Sequence, residues 1–142
     1  MTDQAIPELT VRYEIEAVPD DIPIRGNAME SGDDDADRVY EDKLIERLER
    51  GDVWAWALVS VRAVLVDEDG TDLIEGDPDY LGGCVYEDEA GFKADGYYEE
   101  MQEQALDNLK QACKEHMNRA GAIGAYVRDV LEMKREARER QQ

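Results

Sequence analysis

The side chains that could do chemistry here are overwhelmingly carboxylates. The densest group is Asp67-Glu68-Asp69-Gly70-Thr71-Asp72, followed by Glu75, Asp77 and Asp79. Clustered carboxylates on a loop are hard oxygen ligands of the kind calcium takes, but the helix-loop-helix calcium loop needs acids at its first, third and fifth positions and glycine at the sixth. Gly70 comes fourth from Asp67, so the register does not fit, and a solvated hairpin tip is the simpler reading. Cys113 and His116 stand three apart in a helical pattern, with Cys84 as a conceivable third ligand. A structural zinc site wants four ligands and paired spacing such as C-x2-C, which is absent. Serine occurs only as Ser31 and Ser60 and histidine only as His116, none in a nucleophile-elbow or phosphate-loop context. Among 36 acids a close pair arises by chance, so acid-base catalysis by paired carboxylates has no specific signature. No catalytic residue, metal site or cofactor is expected, and the chain reads as a non-enzyme.

The remaining signal is charge. Against 36 acids stand 16 bases, a formal charge of −20 in 142 residues. Nucleic-acid binding requires lysine and arginine to displace counterions from phosphate, so this surface repels a duplex and, by the same physics, an anionic membrane. Net charges of magnitude about 2 to 8 suffice to keep a small domain dispersed, so the excess here calls for another explanation. Residues 1–96 hold 27 acids and 8 bases, whereas residues 97–142 hold 9 and 8. That asymmetry argues against the uniform acidity of proteins adapted to high salt, although 5 lysines against 11 arginines would suit them. A compact chain of this length is roughly 37 Å across, and a B-form duplex of that length carries roughly 20 phosphate charges. A DNA-mimicking surface is therefore feasible in magnitude. Its partner-binding candidates are the acids of two loops, Asp33, Asp34, Asp35 and Asp37 in one, Asp67, Glu68, Asp69, Asp72, Glu75, Asp77 and Asp79 in the other, because loops on a rigid scaffold present side chains for binding.

The elements that must position these acids are legible from periodicity. Leu9, Val11, Tyr13, Ile15 and Ala17 alternate with polar residues, predicting a first strand. Val18 to Asp35, with Pro19, Pro23, Gly26 and Gly32, predicts a long loop. Asp33 to Asp35 sit where a helix cap belongs, and Tyr40, Leu44, Ile45 and Leu48 predict a helix over about 36–50, stopped by Gly51. The run Val53 to Val66 predicts the central strand, with Trp54 and Trp56 on one face beneath a helix. A turn-rich acidic connection then leads to a third strand over Tyr80 to Tyr86, in which Gly82 and Gly83 predict a bulge or close approach. After a short acidic connector, Met101, Ala105, Leu109, Ala112, Cys113 and His116 or Met117 predict a second helix over 97–119. Gly121 and Gly124 are expected to break it. Ile123, Tyr126, Val127, Val130 and Leu131 then mark a third helix that frays over 134–142. The expected fold is one α+β domain spanning 1–142, a small mainly antiparallel three-stranded sheet with helices on one face, in the order β-α-β-β-α-α.

The opening MTDQAIPELT has no basic segment followed by an apolar one, and two cysteines make no disulfide framework, so a cytoplasmic setting is expected. The blocks DVWAWALVSVRA and YLGGCVYEDEAGFKADGYYEEMQEQAL resemble small acidic proteins of unknown function encoded by phages and prophages, a likeness covering about residues 20–112. In size and acidity the chain also resembles phage-encoded anti-CRISPR and anti-restriction DNA mimics. That resemblance implies a non-enzymatic inhibitor in the host-cell cytoplasm, whose partner is a basic nucleic-acid-binding protein or defence complex, with no direct nucleic-acid or membrane binding. The alternative is a structural or assembly protein of a phage or mobile element that self-associates, as a homodimer, through its C-terminal helices.

Overall fold

The computed structural model describes residues 8–141. It has the α+β class expected: β1 (Thr10–Pro19), α1 (Asp34–Glu49), a 3-10 turn (Val53–Ala55), β2 (Ala57–Val66), β3 (Asp72–Glu75), β4 (Asp79–Cys84), α2 (Glu89–Lys93), α3 (Gly96–Tyr126), a π turn (Val127–Leu131) and α4 (Glu132–Arg140). All ladders are antiparallel and centred on β2. β1 pairs along its whole length, from Thr10 opposite Val66 to Pro19 opposite Ala57. The other edge of β2 is shared, β3 pairing with its last residues and β4 with its first. Four strands thus make a sheet three strands wide. The short β3, within what reads as a connection, is an addition to the expected three strands.

The shared edge divides at Gly76 because α3 comes into contact there. The Gly76 N–H donates to the Ala63 carbonyl at 3.0 Å, and a Cβ on Gly76 would stand 2.7 Å from the Leu109 backbone nitrogen. Pro78, with no N–H to give a ladder, follows at once. The expected bulge in β4 is present: Ala57 and Val59 of β2 oppose Cys84 and Leu81, so β4 spends one extra residue, with Gly83 at φ +63°.

Burial follows the period-2 pattern. Ala57, Val59, Val61 and Ala63 point to one face and pack on Met101, Ala105 and Leu109 of α3 and on Phe92 of α2. A smaller cluster of Ile24, Leu44 and Trp56 joins α1 to the start of β2. The central strand begins later than its apolar run suggests. Asp52 accepts from the Trp54 N–H at 3.2 Å and winds Val53–Ala55 into a 3-10 turn. The two tryptophans therefore part company: Trp54 stacks near Phe92 (5.5 Å between rings) and Tyr86 (6.3 Å), while Trp56 packs under α1 and donates its indole N–H to the Ile22 carbonyl at 2.7 Å.

Three helical readings need correction. The acidic connector hides α2, whose Asp88 cap accepts from the Gly91 N–H and whose Phe92 is fully buried. Gly121 and Gly124 do not break the helix, since glycine weakens a helix but keeps its N–H and so leaves the backbone ladder continuous, unlike proline. Nor does loss of apolar periodicity end it, for the helix continues through the π turn to Arg140. From Lys114 onward this continuous helix leaves the body as an arm that buries no residue.

Candidate functional site: two acidic ends

The acids picked out by sequence divide between carboxylates that build the fold and carboxylates left free. Asp33 caps α1, its Oδ1 accepting from the N–H groups of Asp35 (3.1 Å) and Ala36 (3.2 Å). Asp37 accepts from the Ser31 N–H and hydroxyl. Asp67 closes its own turn, with Oδ1 accepting from the Asp69 and Thr71 N–H groups at 2.9 Å each. This is how short acidic side chains favour turns. Glu68 accepts from the Glu8 N–H, Asp72 pairs with Arg12 at 2.8 Å, and Glu75 faces Arg62 at 3.8 Å. Among the described residues, no hydrogen bond or ion pair engages the carboxylates of Asp34, Asp35, Asp69, Asp77 and Asp79. Asp34 and Asp35 face solvent in the first turn of α1, where the positive end of the helix favours them.

The two loops do not converge. α1 packs on Trp56 at the start of β2, while the turn Asp67–Thr71 closes its far end. The ten residues of β2 put roughly 33 Å between those ends. Other acids, evident in the sequence as a concentration of charge but not among the loop candidates, lie between. Glu14 and Glu16 sit on the sheet face away from α3, opposite Arg62 and Ser60, beside a shallow cleft of about 390 Å³ that Leu58, Val18 and Tyr80 help to line. Arg62 Nε is buried there without a hydrogen-bond partner. The alternation in β1 contains that signal, since residues between the core-facing ones must share the wet face. Asp20, of the same acidic group, holds the β4 bulge: its Oδ2 accepts from the Gly83 N–H at 2.7 Å and its Oδ1 from the Ile22 N–H at 3.1 Å. Glu41 is the one buried acid among the described residues and accepts from the Gly26 N–H at 2.8 Å beside Arg25. These bonds pin the long loop that follows β1, together with the buried Ile24.

The scarce nucleophiles are scattered. Ser31 is bonded to Asp37, Ser60 lies on the open sheet face and His116 is exposed on the arm. Cys84 is buried, and its thiol is pushed up to about 11, chiefly by desolvation and then by nearby Asp20. Desolvation, followed by its 2.7 Å bond to Asp95, likewise raises the Tyr86 hydroxyl. Both groups are held protonated and inert. Among the described residues no three His, Cys, Asp or Glu side chains gather as a metal site, and no helix is long and apolar enough to cross a membrane.

Comparison with protein-family models, characterised proteins and solved structures finds no match for this chain. The charge of the molecule is laid out in two unequal parts. Residues 1–113 carry 31 acids and 9 bases, a balance of −22; residues 114–142 carry 5 acids and 7 bases, a balance of +2. The body is more acidic than the whole chain, and the arm is the opposite sign.

Proposed function

We propose that the protein is a non-enzymatic inhibitor whose acidic body occupies the basic nucleic-acid-binding surface of another protein, carboxylates standing in for phosphates. The reading extends to the anti-defence class that the chain resembles: a phage-encoded protein acting in the host cytoplasm on a basic defence complex of the anti-CRISPR or anti-restriction target kind. The observation that carries it is the set of carboxylates left unpartnered on fixed backbone, Asp34 and Asp35 in the first turn of α1, Asp79 beside the middle of β2, and Asp69 and Asp77 toward its far end. Partnered acids explain themselves as caps, turns and ion pairs; free acids on rigid elements cost self-repulsion, which only Asp34 and Asp35 offset, at the positive end of α1. Spread over separate elements and not gathered round one cavity, they suit an extended basic groove better than a small pocket.

The test is to capture binding proteins from nuclease-treated bacterial lysates carrying a defence system, then to wash at rising salt and with competing duplex DNA. The expected result is one basic nucleic-acid-binding complex, released by either wash, since charge-dominated association weakens steeply with ionic strength. A complex that resists both salt and DNA would overturn the mimicry.

A further inference from the structure

The arm is a helix with an uncovered apolar side. Met117, Ile123, Tyr126, Val127 and Leu131 are 44–71% exposed, and nothing in the body reaches them. It also contains Gly121 and Gly124, both in open space. A helix of this length with two interior glycines is marginal alone in water and takes its stability from packing an apolar face. Something covers it, and the charge of the molecule says what. The arm's end, with Lys134, Arg135, Arg138 and Arg140 against Glu136 and Glu139, is its most basic part. The root of the arm lies beside the far, acidic end of the sheet: the Asn108 amide donates to the Asp77 carbonyl at 3.0 Å, and Leu109 packs against Gly76.

We infer that the arm is a self-association device: two copies pair their arms antiparallel, each basic end lying against the acidic hairpin end of the other body. The inference does not rest on the inhibitor reading. An antiparallel pair with its twofold axis near Ala125 sets Ile123 level with Val127 and Ala120 level with Val130. Both pairs set small or β-branched side chains at the seam, and Gly124, level with Tyr126, leaves room for its ring. The same register brings residues 134–140 level with 110–116 of the second copy, at the end of the sheet where Asp67, Glu68, Asp69 and Asp77 lie. Parallel pairing would instead put two bodies of −22 side by side, which self-repulsion opposes. A C2 pair is also the commonest closed arrangement for a self-complementary patch.

The test uses the full chain. Sedimentation over a range of micromolar concentrations should show a monomer-dimer equilibrium that high salt shifts toward monomer. Ile123→Asp with Val127→Asp should leave only monomer while the Trp54 and Trp56 fluorescence of the body stays unchanged; a dimer surviving that pair of substitutions would overturn the inference, as would a monomer for the parent chain throughout. Arg135→Glu with Arg138→Glu probes the charge separately and should weaken the dimer at low salt without affecting the body. Orientation is read by a spin label on Gln141→Cys in a Cys113→Ser background, Cys84 being buried. Antiparallel arms place the two labels roughly 48 Å apart at 1.5 Å per residue, whereas a separation of roughly 10 Å would mean parallel arms and overturn the arrangement.

Discussion

Body and arm are built from the same helix and held by opposite means. Through Leu109, α3 is fixed by what it buries, with Met101, Ala105 and Leu109 seated on the central strand. Beyond Lys114 the same helix buries nothing, and its charge changes sign. A helix can thus continue for many turns past the core that nucleates it, and its exposed length then serves something other than the stability of its own domain. The acids show a parallel division: those that cap, close turns or pair with arginine belong to the fold, and those that do none of these make up the proposed binding surface.

The largest effects should fall on the body. Phe92 is fully buried with Tyr86 at 5.2 Å, Trp54 at 5.5 Å and Tyr98 at 6.1 Å between ring centres. Phe92→Ala should cost about 3–5 kcal/mol by denaturant unfolding followed through tryptophan fluorescence. A substitution on the exposed arm, Met117→Ala, should leave that midpoint in place; if the two variants lost stability alike, the division between body and arm would fail. Gly76→Ala comes next. Its Cβ would meet Leu109 backbone, which cannot move aside as a side-chain tip would, so overpacking of about 1–3 kcal/mol is expected in the same measurement.

Smaller effects sharpen the division among the acids. Asp33→Ala removes the α1 cap and should cost about 1 kcal/mol, whereas Asp34→Asn, one residue on, should leave the unfolding midpoint within error. Equal losses would mean that Asp34 is structural after all. The two cysteines give the gentlest contrast. Because burial raises Cys84 from 9.0 to about 11, the folded state holds its proton more tightly than the unfolded chain. The stability from that group is full below about pH 9 and is lost as pH climbs through about 11, with Tyr86 adding to the same alkaline loss. Titration with a thiol reagent at neutral pH should accordingly find Cys113 fast and Cys84 slow until the body opens.

Much of the scaffold was readable from the residues. The alternation from Leu9 to Ala17, the cap and stop at Asp33 and Gly51, and the glycine pair in β4 each carry a local physical cause that survives folding. The short pieces were not readable. β3 exists because β2 offers an edge to it, and α2 because Phe92 has a pocket among distant aromatics. Those causes are tertiary, and no window of sequence contains them. The glycines of the arm misled for a related reason, since propensity weakens a helix without dictating where it ends. For the acids, sequence showed where charge was dense but not which carboxylates had backbone or arginine partners. Asp33 and Asp34 are indistinguishable by type and position, and a single hydrogen-bonding geometry separates their roles.

The central claim is that the unpartnered carboxylates make the binding surface. Its most direct test replaces Asp34, Asp35, Asp69, Asp77 and Asp79 with asparagine together, removing charge while keeping side-chain size and the caps at Asp33 and Asp67. Binding to the captured basic complex should then fall at least tenfold, with its salt dependence flattened and the unfolding midpoint held or raised. Undiminished affinity in a folded five-residue variant would contradict the account.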